Sequence, residues 1–242
     1  MAKIDYEEFA ILAHDLRSKW SLSDAEPINC KSLLWKLNIH TAYRPLSESF
    51  SGMCLKSGET MFMMINSNNP RGRQHFTIAH EFYHLFVQKS FEPHLCNPGY
   101  ISNKDINEQK ADAFASEFLM PKIGILKMIP LQERESKTVS ISTLLKLEQY
   151  FLVSHSALIN RLKFLKHINQ EQFDLYAGLR IKKTALEYGF APDLYESGNN
   201  GLIISDYGSK AKELFSSVRI SESHYYELMN AIGFDPTTNT NK

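Results

Sequence analysis

Apolar positions recur at helical spacing from the start of the chain. Tyr6, Phe9, Ala10, Ala13, Leu16 and Trp20 mark one face of a helix, with Asp5 as its N-cap and Glu8 three residues on completing a capping-box pattern. After the loop at Pro27, Leu33, Leu34 and Leu37 predict a second, shorter helix capped by Asn29. Sheet candidates follow. Residues 39–43, 50–55 and 60–65 read as strands, and Ser57, Gly58 and Glu59 supply the turn that makes the last two a hairpin. Consecutive strand residues point to opposite faces, so Met61, Phe62, Met63 and Met64 predict packing rather than a methionine-lined copper site.

Polar residues 66–72, with Pro70, turn the chain into a new helix whose apolar positions are Phe76, Ala79, Tyr83 and Val87 and which runs out near Ser90. Residues 91–107, with Pro93, Pro98 and Gly99, read as a loop, and its His94 and Cys96 lack the second ligand pair of a metal clip. Residues 105–120 predict another helix striped by Ala111, Phe114, Ala115, Phe118 and Leu119 and stopped at Pro121. A break over 130–137 reads as a boundary between a first domain, 1–129, and a helical region, 130–242. In that region 142–151 and 154–165 read as two helices across a short turn, a helix-turn-helix-like hairpin within 140–168. Further helices are expected over 214–234 around Gly208 and Gly233, with 235–242 frayed. The fold class expected is α+β: a small mixed or antiparallel sheet with helices, then a mainly helical C-terminal part.

Composition narrows the function classes. The 242 residues are 43% hydrophobic and 12% aromatic, ample for a packed core. Lys and Arg number 27 and so do Asp and Glu, so no global field favours nucleic acid or a membrane surface. Arg161, Lys163, Lys166, Lys182 and Lys183 are the residues that would meet phosphates if the hairpin bound DNA; the zero net charge favours a hairpin that packs on the first domain instead. Residues 1–8 have no cationic run leading into an apolar one, and no stretch has the length of a membrane span. Cys30, Cys54 and Cys96 are odd in number without paired spacing, which fits free thiols in a reducing compartment. These features predict a cytoplasmic protein.

The chemistry is concentrated in His80-Glu81-x-x-His84. On a helix the two histidines lie one turn apart on one face, able to hold a single Zn2+, and the adjacent glutamate is placed to act on water at the metal. Such a site lacks a third protein ligand. Glu108, on the next helix, is the candidate, and Asp112 one turn on is placed to accept the free N–H of a ligand histidine. Ala111 and Ala115 would let the two helices approach closely; otherwise these acids would read as solvated charges. Glu117, nine residues past Glu108 on a different face, suits the role less well.

Two stretches carry a resemblance: Arg73-Gln74-His75-Phe76-Thr77-Ile78-Ala79-His80-Glu81-Phe82-Tyr83-His84-Leu85-Phe86 and Glu108-Gln109-Lys110-Ala111-Asp112-Ala113-Phe114-Ala115-Ser116-Glu117-Phe118-Leu119-Met120-Pro121. The sequence resembles the ImmA/IrrE family of zinc metallopeptidases, whose signatures are Arg-x-Arg-Phe-Thr-x-Ala-His-Glu-x-x-His-Leu and Glu-x-x-Ala-Asn/Asp-x-Phe-Ala-x-x-Leu-Leu-Met-Pro. The resemblance implies a zincin-like domain, zinc on His80, His84 and Glu108, and Glu81 as catalytic acid and base. It also implies that the substrate is a helix-turn-helix repressor, cleaved in a stress or mobile-element response. Two positions depart from the pattern: His75 stands for the second arginine, and Tyr83 for the glycine that often precedes the second histidine. Both are candidates for cleft or oxyanion contacts. Mn2+ or Fe2+ would suit the same donors. The rival expectation is a non-catalytic regulatory module that keeps the fold and binds protein or DNA; a structural zinc would require a fourth protein ligand, and three are evident.

Overall fold

The computed structural model describes residues 5–89 and 106–234. Helix α1, Tyr6–Lys19, is capped by Asp5, whose carboxylate accepts the Glu7 N–H at 3.0 Å, and it buries Phe9, Ala13 and Leu16. Arg17 is also buried, its guanidinium donating to the carbonyls of Ser23, Glu26 and Phe118. Burial lowers its pKa to about 10 despite nearby Asp24 and Glu26. Helix α2, Cys30–Lys36, starts at Asn29, whose side chain accepts the Ser32 N–H.

Strands β1, Ile39–Arg44, β2, Gly52–Ser57, and β3, Thr60–Asn66, form the sheet with a two-residue strand β4, Ile203–Ile204, in the order β2-β3-β1-β4. β1 runs parallel to β3, while β2 pairs antiparallel with β3 across the predicted hairpin, so the sheet is mixed. Gly58 takes φ 57 in that turn, a conformation that costs glycine nothing. Met63 is fully buried, in register with Thr41 and Cys54, as a packing residue should be. The Asn66 side chain donates to the carbonyls of Ser47 and Phe50 and accepts from the Leu46 and Asn68 N–H groups, which holds the 46–50 loop against the sheet.

Helix α3, Arg71–Phe86, lies against β2 and β3; α4, Ile106–Leu119, packs on α3 and α1 on α4. Trp20 joins the three helices, its ring edge-on to Phe82, Phe86 and Phe118 at 5.0–5.7 Å. Beyond Pro121 come α5, Lys122–Met128, and α6, Leu131–Ser136. The latter fills the stretch expected as a break: Pro130 stands at its N-cap and Lys137 ends it at φ 53. The hairpin helices are α7, Ile141–Phe151, capped by Ser140, and α8, His155–Phe164, capped by Ser154. Then follow α9, Gln170–Ala177, α10, Ile181–Glu187, a 3-10 turn at Pro192–Tyr195, α11, Tyr207–Ser216, and α12, Glu222–Ala231.

Leu144, Leu147, Phe151, Leu158 and Leu162 of the hairpin share one buried cluster with Phe82 and Phe114. The link to α3 is direct. His75 Nδ1–H donates to the Leu152 carbonyl at 2.9 Å, and a Cβ on Gly72 would lie 2.7 Å from Ser154 N. Farther along, the Gln74 amide donates to the Asn69 and Gly198 carbonyls and accepts from Asn199.

Of the basic residues named as phosphate contacts should the hairpin bind DNA, Arg161 needs correcting. Arg161 is 2% exposed, in a two-pronged ion pair with Glu117 and donating to the Met120 carbonyl. The Lys163 ammonium sits over the Phe173 ring, and Lys182 and Lys183 pair with Glu196 and Glu187. The Arg161 partner Glu117 lies 44 positions away on α4, which no local pattern around Arg161 marks. Cys30 and Cys54 are free and buried; His94 and Cys96 fall outside the described residues. No described helix is long and apolar enough to cross a membrane.

Candidate metal centre

Helix α3 is buried on most of its faces, because the sheet, α4 and the α7–α8 turn cover it. His80, Glu81 and His84 are each fully buried within it. The spacing of four places the two rings over one another, with Nε2 atoms 3.2 Å apart. Helix α4 supplies Glu108, whose Oε2 lies 3.3 Å from His80 Nε2 and whose Oε1 lies 3.3 Å from His84 Nε2. The Glu108 carboxylate thus presents one oxygen to each imidazole nitrogen.

The donor chemistry fits a metal. His80 Nδ1–H donates to Asp112 Oδ1 at 2.8 Å, and His84 Nδ1–H donates to Gln88 Oε1 at 2.5 Å. With both Nδ1 atoms carrying protons, both Nε2 lone pairs face each other and the carboxylate, an arrangement stable only around positive charge. Two nitrogens at the usual zinc distance and a tetrahedral angle stand about 3.3 Å apart. Without a cation a proton takes its place. Burial disfavours the His80 imidazolium, but hydrogen bonds with Asp112 and Glu108 outweigh it and raise the pKa to about 10.

Glu81 is the second anomaly. Both of its carboxylate oxygens are buried without a hydrogen-bond partner among the described residues. A buried polar group left so is costly, and in a native fold it marks a place where a ligand or water belongs. Gly52 makes room for it: a Cβ there would lie 2.4 Å from Thr77 Cγ2, 3.2 Å from the Met64 carbonyl and 3.4 Å from Glu81 Oε1. Gly52→Ala should therefore destabilise the protein by about 1–3 kcal/mol and displace the Glu81 side chain. Urea unfolding checks this, with Gly58→Ala, which meets only turn strain, as the comparison. Cys54, next inward on β2, is buried, and burial together with Glu81 and Glu108 keeps its thiol protonated.

The sequence-predicted residues thus divide. His80, His84, Glu108 and Asp112 come together, with Glu81 adjacent. Tyr83 turns away into the core, edge-on to Phe9 and His84, and burial raises its pKa. His75 is bound to Leu152, and burial lowers its pKa. Glu117 belongs to Arg161. Gln88 and Gly52 went unnoticed; the i,i+4 step from His84 marks the first, whereas nothing local marks the second.

A comparison with curated proteins finds no match. A peptidase M78 family model, described as the IrrE N-terminal-like domain, matches residues 36–163, more than half of the chain and the whole span holding β1–β3, α3, α4 and the hairpin. That family is metallopeptidase-like, and the His-His-Glu group beside a glutamate without a hydrogen-bond partner among the described residues is a site suited to such chemistry; the chain belongs to the peptidase M78 family.

Proposed function

We propose that the protein is a zinc-dependent endopeptidase. The observation that carries the reading is the convergence of His80, His84 and Glu108 on one point beside the buried Glu81 carboxylate, which has no hydrogen-bond partner among the described residues. His80, His84 and Glu108 would hold the cation; two imidazoles and a carboxylate favour zinc, and Mn2+ or Fe2+ would use the same donors. When bound, such an ion supplies a Lewis acid and lowers the pKa of water toward neutrality. Glu81 takes the proton from the attacking water and returns it to the leaving amine. Asp112 fixes the His80 tautomer, and Tyr83 packs edge-on against His84. The outer strand β2 brings Gly52 past Glu81, which supports an extended substrate backbone adding to that edge.

By family likeness the substrate is a helix-turn-helix repressor in the cytoplasm, and cleavage relieves repression in a stress or mobile-element response. Incubating the metal-loaded protein with the repressor encoded nearest to it should yield defined fragments by intact mass. An uncut repressor, with metal bound and the protease folded, would count against the assignment. Metal removal gives an independent check. A ligand bound only by the native state stabilises it by about 2.7 kcal/mol at a hundred times its dissociation constant. Chelation should lower the melting temperature and Zn2+ should restore it, while His84→Ala should not respond to either.

A further inference from the structure

The two histidines of the centre are oriented differently. His80 Nδ1–H meets a carboxylate, Asp112, reaching across from α4. His84 Nδ1–H meets a neutral amide oxygen, Gln88 Oε1, from its own chain one turn on. Gln88 lies just past the end of α3, where the Val87 and Gln88 N–H groups both return to the Tyr83 carbonyl at 2.9 Å. That closing turn brings the half-buried Gln88 side chain back to the Nδ1 edge of the His84 ring.

We propose that Gln88 is a positioning residue for the metal ligand His84. This rests on the metal centre described under the proposed function. An amide oxygen that accepts Nδ1–H leaves the Nε2 lone pair as the one aimed at Glu108 and His80, so the hydrogen bond sets both tautomer and ring angle. The amide also adds no charge. Glu81, Glu108 and Asp112 already bring three carboxylates to the centre. A neutral acceptor orients His84 without pushing further electron density onto the cation.

Zn2+ affinity measured by competition with a chromophoric chelator tests this. Gln88→Ala should weaken Zn2+ binding about 10- to 100-fold, with the melting temperature of the metal-free protein unchanged. Gln88→Glu should recover or exceed the wild-type affinity, because a carboxylate accepts the same proton; a role in packing alone predicts no such rescue. Two results would overturn the role of Gln88. One is a Gln88→Ala affinity within about twofold of wild type while His84→Ala loses binding. The other is a loss in Gln88→Ala that Gln88→Glu leaves unrepaired. If His84→Ala binds Zn2+ as tightly as wild type, the metal centre itself falls, and the role of Gln88 with it.

Discussion

Glu81→Gln is expected to slow peptide hydrolysis by about 100- to 10,000-fold while leaving the bound metal in place. Glutamine keeps the size of the side chain and fits beside Gly52, so His80, His84 and Glu108 stay where they are. What disappears is the ability to accept a proton from water and hand it to the leaving amine. The same change should leave the protein as stable or more so. A buried carboxylate whose two oxygens have no hydrogen-bond partner among the described residues costs about 1–3 kcal/mol, part of which a neutral amide avoids. Function placed at a destabilising position is the expected trade-off at such a site. Initial rates, metal content and urea unfolding on the same preparation separate the effects. Retained turnover would remove Glu81 from the proton path; lost metal would mean that it supports the ligands rather than the chemistry.

Local chemistry was enough to read α1, α2, the β2–β3 hairpin and the metal helix. Each is written in a short window: a cap such as Asp5 or Asn29, a glycine turn, an apolar repeat. β4, α6, α9, α10 and the 3-10 turn escaped, and the first two did so for different physical reasons. β4 is two residues long, and its place beside β1 is set by pairing across about 160 positions rather than by any pattern in Ile203 and Ile204. The α6 helix lies in a polar stretch that propensity alone leaves undecided, and Pro130 starts it as readily as it ends what precedes.

The site was legible in proportion to how far its chemistry is local. His80, Glu81 and His84 follow from one helical turn, and Glu108 and Asp112 from the same argument applied to a second helix. Gly52 was not legible, because the need for glycine arises only where β2 meets Thr77 and Glu81. Tyr83 and His75 were read toward the cleft because they neighbour the motif, yet helical geometry turns them to other faces, one onto Phe9 and the other onto Leu152.

Arg161 is the largest reversal, and it carries the second strong expectation. Arg161→Met should destabilise the protein by about 3–5 kcal/mol, a large share of the roughly 5–15 kcal/mol that holds a typical domain together. The guanidinium is 2% exposed and Glu117 is 7% exposed, so removing one partner strands the other's charge in the interior. Burying a pair gains little, whereas breaking one costs much. Glu117→Met combined with Arg161→Met should therefore regain most of the loss, an outcome that a surface contact would not produce. The position matters as well as the energy. Arg161 reaches from α8 to the Met120 carbonyl and to Glu117 at the C-terminal end of α4, while Glu108 and Asp112 face His80 and His84 from the other end. The single variant should consequently lose part of its Zn2+ stabilisation, because α4 is no longer held at both ends. Urea unfolding with and without Zn2+ measures both. A loss below about 1 kcal/mol would return Arg161 to the class of exposed charges and reopen the reading of α8 as a surface that meets phosphate.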